Sequence, residues 1–212
     1  MELELRTERP DDHREVENLT REAFWDVHVP GCVEHYLAHV MRSHADFLPE
    51  LDYVALDGDR IVGSIMYAKA WLDSEGGESL PILSFGPLSV LPAYQRRGVG
   101  SRLVESTVRI AREAGWPAIV ILGNPGNYVK HGFKNCKKYW IAMAPGRYPT
   151  CLLALELRPG ALGAKDYLYR GSPVYEVGEA EARAFDAGFP PKQRGFRPSQ
   201  EEFDMFCRSF VE

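Results

Sequence analysis

At 212 residues, with 45% hydrophobic and 26% charged residues, the chain has the length and balance of one ordinary folded unit, and a disordered or fibrous protein is excluded. A formal net charge of -5 supplies no global positive field for nucleic acid or anionic lipid. The charged start Met1-Glu2-Leu3-Glu4-Leu5-Arg6 does not read as a signal peptide, and no stretch approaches the roughly 20 apolar residues a membrane helix needs. These features predict a cytoplasmic protein with reduced thiols at Cys32, Cys136, Cys151 and Cys207, which are scattered and form no CxxC pair.

Residues 3 to 6 read as a short strand. Asp12 with Glu15 has capping-box spacing and opens a helix whose Val16, Leu19, Ala23 and Phe24 form one apolar stripe. Val33, Leu37, Val40 and Met41 mark a second helix. A hairpin follows, from Tyr53 to Leu56 and from Arg60 to Trp71 around the turn Asp57-Gly58-Asp59. The next strand, Ile82 to Leu91, contains Gly86-Pro87, a pair that a regular ladder rarely tolerates and that predicts a bulge.

A helix is expected from Gly98 or Ser101 to Ala114, stopped by Gly115, and then a buried strand Ala118 to Leu122 parallel to the one before it. A short helix near 127–131 and a strand Leu152 to Leu157 complete the first 158 residues. Residues 159–212 read as an extension packed on that core, because Phe185, Phe189, Phe196, Phe203 and Phe206 call for burial. Ser199 and Glu202 are expected to cap a last helix there.

The chemistry concentrates on Gln95-Arg96-Arg97-Gly98-Val99-Gly100, with Ser101 next. A strand, a glycine turn bearing two arginines and a helix start make an anion site, since the first helical N–H groups have no intrahelical partner and the dipole adds positive potential. The pattern is neither a P-loop, which needs Gly-Lys-Ser/Thr, nor a dinucleotide fingerprint, which needs a small residue where Leu103 stands. His35 and His39 have metal-ligand spacing but no third ligand, so no metal is expected. Lys130, Lys134, Lys137 and Lys138, interleaved with Tyr128, Phe133 and Tyr139, read as a solvated face rather than a nucleic-acid surface.

The run from Leu88 through Leu103 resembles motif A of the GNAT N-acetyltransferase superfamily, and Tyr128-Val129-Lys130-His131-Gly132-Phe133 resembles its tyrosine followed by Gly-Phe. Leu122-Gly123-Asn124-Pro125 and Ala154 to Gly160 are similar to the YhbS-type predicted acetyltransferases of that superfamily. The resemblance implies a mixed α/β fold, a central sheet with two parallel strands splayed apart and helices on its faces. It implies acetyl-CoA as cosubstrate, held by Leu88, Ser89, Val90, Gln95, Arg96, Arg97, Gly98, Val99, Gly100, Ser101 and Asn124, with Tyr128 as the acid that protonates the leaving thiolate. A bulge at Gly86-Pro87 would leave the backbone of Leu88, Ser89 and Val90 free to bond the pantetheine amides, with a backbone N–H near Leu88 or Val90 holding the oxyanion.

Direct attack by a primary amine, small or on a peptide or protein, is the expected reaction. A lysine-like amine costs roughly 4.6 kcal/mol to deprotonate at pH 7, an α-amine only about 1 kcal/mol. Glu22, Glu34, His35, Asp73 and Glu75 are the candidate bases, and the sequence does not choose among them. A non-catalytic acyl-CoA sensor and a transferase of longer acyl groups remain as alternatives. The 159–212 extension is left with two roles, a cover over the acceptor cleft or a homodimer contact.

Overall fold

The computed structural model describes residues 3–163 and 165–212. Among the described residues nine strands form one mixed sheet, β1 (Glu4–Thr7), β2 (Tyr53–Asp57), β3 (Arg60–Ser74), β4 (Ser79–Val90), β5 (Ala118–Leu122), β6 (Lys134–Asn135), β7 (Ile141–Ala142), β8 (Leu152–Glu156) and β9 (Tyr167–Arg170). The spatial order is β1-β2-β3-β4-β5-β8-β6, with β9 bridging β3 and β7. The helices are α1 (His13–Phe24), α2 (Glu34–Met41), α3 (Val99–Glu113), α4 (Pro125–Tyr128), α5 (Glu179–Asp186) and α6 (Pro198–Cys207). None of them is long and apolar enough to cross a membrane.

Two features of the sheet create the site. First, β4 is antiparallel to β3 but slips by one residue: Tyr67 faces Phe85 whereas Ile65 faces Leu88, so Gly86 and Pro87 together oppose Met66. This is the bulge expected from Gly86-Pro87. Second, β4 and β5 run parallel yet pair only at Leu83 and Ile119 among the described residues, although β4 continues to Val90 and β5 to Leu122. The two strands diverge towards their C-terminal ends.

Helix α3 crosses between them. It buries Val99, Leu103, Val104, Thr107, Val108 and Ala111 against the sheet, a face on which each fully buried Val or Leu contributes about 1.5–3 kcal/mol. Thr107 Oγ1 lies 2.9 Å from the Tyr67 hydroxyl, which locks the helix to β3. At its start the helix presses on Gly63 of β3, where a Cβ would lie 2.9 Å from Val99 Cγ1 and 3.2 Å from the Ser89 carbonyl oxygen.

The extension is tied to α1 and the connection after it. Arg21 Nε donates to Asp186 Oδ1 at 2.6 Å, Trp25 Nε1 donates to the Gln193 carbonyl at 2.9 Å, and Gln200 Nε2 donates to the Asp26 carbonyl at 3.1 Å. Of its phenylalanines Phe189 is buried and Phe185 and Phe206 are partly so, while Phe196 and Phe203 stay exposed, contrary to the expectation from sequence.

Both predicted caps also differ. Asp12 closes a 3₁₀ turn by accepting the Arg9 N–H at 2.7 Å and pairs with Arg6, while Glu15 accepts the Ile61 N–H at 3.2 Å. Ser199 donates to the Val27 carbonyl at 2.9 Å and leaves α6 without a side-chain cap. Glu15 and Ser199 take partners remote in sequence, and Asp12 takes the nearby Arg9 and Arg6, in place of their own helix termini.

Candidate active site

A cavity of about 490 Å³ opens where β4 and β5 part. Leu88 and Val90 line it from the end of β4, Gln95, Arg96, Gly98, Val99, Gly100 and Ser101 from the turn and the first residues of α3, and Tyr128 from α4. The turn begins at the 3₁₀ segment Pro92–Tyr94 and reverses through two left-handed residues, Arg96 (φ 58°) and Gly98 (φ 87°). Glycine at 98 adopts that geometry without the penalty a Cβ would bring. Gly98 is the residue preceding α3, with no side-chain cap, so the N–H groups of Gly98 to Ser101 are the unpaired donors of the helix start. A Cβ on Gly100 would meet only Val90 Cγ2 at 3.6 Å and Leu88 Cδ2 at 3.9 Å, so anything larger has to grow into the cavity.

The end of β4 offers its backbone selectively. Leu91 N–H donates to the Val62 carbonyl of the β3 side, so by alternation Ser89 also faces β3 and Val90 and Leu88 present their N–H and C=O groups to the cavity. Gln95 Nε2 donates to the Val90 carbonyl at 3.1 Å from that open side. What frees this edge is the departure of β5, since the register with β3 resumes at Leu88 directly after the bulge.

Three of the residues singled out from sequence stand away from the cavity lining. Ser89 is fully buried and its hydroxyl donates to Thr20 Oγ1 at 3.0 Å. Arg97 is exposed, with its guanidinium carbon 5.8 Å from the centre of the Tyr94 ring. Asn124 accepts the Gly126 N–H at 2.9 Å and caps α4.

Tyr128 is fixed by aromatic contacts, its ring centre 5.6 Å from Phe85 and 5.8 Å from Phe133. Burial pushes its phenol up to about 12, so the hydroxyl keeps its proton through the neutral range. Gly123 carries the other side of the ring: a Cβ there would stand 2.5 Å from Tyr128 Cε2. That requirement for glycine was not visible in the sequence.

Several lining residues were missed as well. Ala23, Phe24, Val27 and His28 enter from the end of α1 and the connection after it, and Asn127, Lys130 and His131 from the segment around Tyr128. His131 Nδ1 is 3.3 Å from Glu105 Oε1 of α3, and burial lowers the imidazole below its ordinary range. Among the other lysines, Lys134 lies near the Tyr139 ring and Lys137 near the Tyr148 ring, outside the lining.

The candidate bases are engaged elsewhere. Glu22 pairs with Lys192 at 2.7 Å and Asp73 with Arg170 at 2.7 Å, while Glu75 borders a separate cleft with Glu78 and Lys165. Glu34 approaches the cavity only through His28. His35 is fully buried, with Cys32 Sγ 3.3 Å from its Nδ1 and Asp186 Oδ1 3.2 Å from its Nε2. This row imitates a nucleophile triad, but burial pushes the Cys32 thiol up to about 12, which disfavours a thiolate. His39 bonds Glu17 and not a common centre with His35.

The family model described as "Acetyltransferase (GNAT) family" matches residues 18–133, more than half of the chain. The uncharacterized N-acetyltransferase YjhQ of Escherichia coli is 33% identical over 88 residues, 42% of this chain and 48% of that protein, so the aligned part spans about half of that relative's length. The uncharacterized N-acetyltransferase YhbS of Escherichia coli is 28% identical over 131 residues, 61% of this chain and 72% of that protein. Its crystal structure in complex with CoA superposes with a TM-score of 0.71 at 24% identity, covering 82% of this chain and 92% of the other. A GNAT family acetyltransferase from Brucella melitensis in complex with acetyl-CoA gives a TM-score of 0.63 at 25% identity, covering 82% and 98%. A diverging pair of parallel strands, a glycine turn at a helix start and a matching family model over 18–133 agree, and the chain belongs to the GNAT family of acetyltransferases.

Proposed function

We propose that the protein transfers an acetyl group from acetyl-CoA to a primary amine by direct attack. The observation that carries this is the single cavity shared by the unpaired amides of the Gly98–Ser101 turn, the open backbone of Leu88 and Val90, and the hydroxyl-bearing ring of Tyr128. In this reading residues 1–158 form the transferase unit and 159–212 an extension to it. The complexes of the two solved relatives with CoA and acetyl-CoA support the choice of cosubstrate.

The pyrophosphate binds the amides of Gly98 to Ser101, with the Arg96 side chain adding charge, and the pantetheine arm runs along Leu88 and Val90. A cavity-facing N–H of Leu88 or Val90 polarises the thioester carbonyl and holds the developing oxyanion. As the N–C bond forms and the C–S bond breaks, the Tyr128 hydroxyl gives its proton to the departing thiolate. Burial keeps the phenol protonated, so the hydroxyl is present as a donor when the sulfur departs.

The test is release of CoA thiol from acetyl-CoA in the presence of a panel of primary amines, with the acetylated product identified by mass. Amine-dependent thiol release with a matching product supports the reading. Tight acetyl-CoA binding without release in any amine contradicts it and identifies an acyl-CoA sensor.

A further inference from the structure

We propose that His28 takes the proton from the attacking amine, with Glu34 and Phe203 as its positioning residues. The assignment rests on the transferase reading above and supplies the base that the sequence left open.

His28 lines the cavity that Tyr128 lines, but from the connection between α1 and α2, a wall that carries none of the phosphate-turn residues. Three neighbours hold the ring. His28 Nδ1 lies 3.2 Å from Glu34 Oε1, and the other oxygen of that carboxylate accepts the Val33 N–H at 3.0 Å, so the carboxylate cannot swing away without losing a backbone bond. Phe203 of α6 stacks on the imidazole at 4.2 Å between centres and 21° between planes, and Phe24 of α1 packs at 5.6 Å. The imidazole remains one-third exposed, as a group that meets a substrate must.

This arrangement fixes a tautomer. With Nδ1–H donated to Glu34, the lone pair is on Nε2, and the carboxylate compensates the imidazolium that proton uptake creates. It also gives the exposure of Phe203 a purpose, and it ties α6 to the site: Ser199 and Gln200 of the same helix bond the Val27 and Asp26 carbonyls next to His28.

The neutral amine attacks the thioester carbonyl, its N–C bond forms, and the nitrogen loses a proton to His28 Nε2. The C–S bond breaks and the thiolate takes the Tyr128 proton. The imidazolium and the phenolate then return to their resting states by exchange with solvent.

Other ionisable groups face the same space. Tyr94, Arg96, Lys130, His131 and Tyr128 line the cavity with His28, and Glu34 adjoins it. Phe24 and Phe203 add no charge, and Asp26 is turned to the amides of Gly31 and Gly195. His131 is the competing imidazole, but it neighbours Tyr128 in sequence and approaches Glu105 of α3, the helix that carries the phosphate turn. It therefore belongs to the cofactor side.

The experiment measures thiol release from acetyl-CoA against pH across the neutral range, with a primary-amine panel and with water alone as acceptor, for the native protein and for His28→Gln, Glu34→Gln, Phe203→Leu and His131→Gln. Acetyl-CoA affinity and melting temperature are recorded for each. His28→Gln is expected to lower turnover about 10²-fold or more across the neutral range, with unchanged acetyl-CoA affinity. Glu34→Gln and Phe203→Leu are expected to lower kcat with acetyl-CoA affinity and melting temperature unchanged, and to cost nothing further once His28 is Gln. Native turnover in His28→Gln, or the same loss in His131→Gln instead, would overturn the assignment and leave the transferase reading intact. Absence of thiol release from the native protein with every acceptor would overturn both.

Discussion

Replacing Gly123 by alanine tests the placement of Tyr128 without touching its chemistry. The added Cβ would stand 2.5 Å from Tyr128 Cε2 and 3.1 Å from Cδ2. A relaxed carbon–carbon contact is about 3.5–4.0 Å, so the ring has to retreat by about 1 Å. Phe85 and Phe133 pack against it, which prevents a free rotation out of the way. A displacement of that size at a reacting group costs about 10²-fold in rate, or about 2.7 kcal/mol of activation free energy. The clash itself should lower stability by about 1–3 kcal/mol.

The assay is thiol release at saturating acetyl-CoA and amine, alongside urea unfolding. Tyr128→Phe retains the ring and loses the proton, and is expected to cost between about 10² and 10⁴ in turnover. If position matters only through the hydroxyl, Gly123→Ala should cost little more once Tyr128 is Phe, because no proton remains to misplace. Full turnover in Gly123→Ala, or the same factor in both backgrounds, would show that the position of the Tyr128 hydroxyl does not limit the reaction.

Two further predictions concern stability. Asp52 is buried beside Glu8 and Arg42, and burial first, then the charge of Glu8, holds its carboxyl well above its ordinary 3.8. The native state therefore binds a proton that the unfolded chain releases, and this contribution is complete below about pH 4 and is lost as pH rises towards the folded-state value. Urea unfolding should show native stability falling from acid to alkaline pH in excess of an Asp52→Asn variant, and parallel profiles would show that Asp52 is not the source. Asp186→Ala should destabilise the fold by about 3 kcal/mol, because it leaves Arg21, 2% exposed, without its carboxylate partner. A loss below about 1 kcal/mol would mean that the Pro190 carbonyl and the Trp25 ring suffice for Arg21.

The parts of the site legible in the sequence are those written by local rules. Gly98 and Gly100 announced a close-approach turn, the apolar stripe of α3 its buried face, and Gly86-Pro87 a break in the β4 ladder. All three depend on neighbours within a few residues. His28, Phe24 and Val27 could not be found that way, because they enter the cavity from an irregular connection with no periodicity and acquire meaning only when α1 packs against β4. The cap at Ser199 failed for the same reason, since its partner Val27 is supplied by tertiary contact, whereas Asp12 is taken by the nearby Arg9 N–H and Arg6 side chain, a local competition that the capping-box spacing does not show. Phe203 was assigned to a core from hydrophobicity alone, whereas the fold spends it on one face of His28 and leaves the other side open. Likewise the free backbone of β4 is set by the divergence of β5, which no single strand sequence encodes.

The most direct test of the central claim is a calorimetric titration of the native protein and of Gly100→Trp with acetyl-CoA. The indole has nowhere to go but into the space beside Val90, Leu88 and the helix start. Micromolar binding by the native protein and loss of at least about 10²-fold in the variant, corresponding to about 2.7 kcal/mol, are expected. No binding by the native protein at millimolar acetyl-CoA, or equal affinity in a folded Gly100→Trp, would contradict that claim.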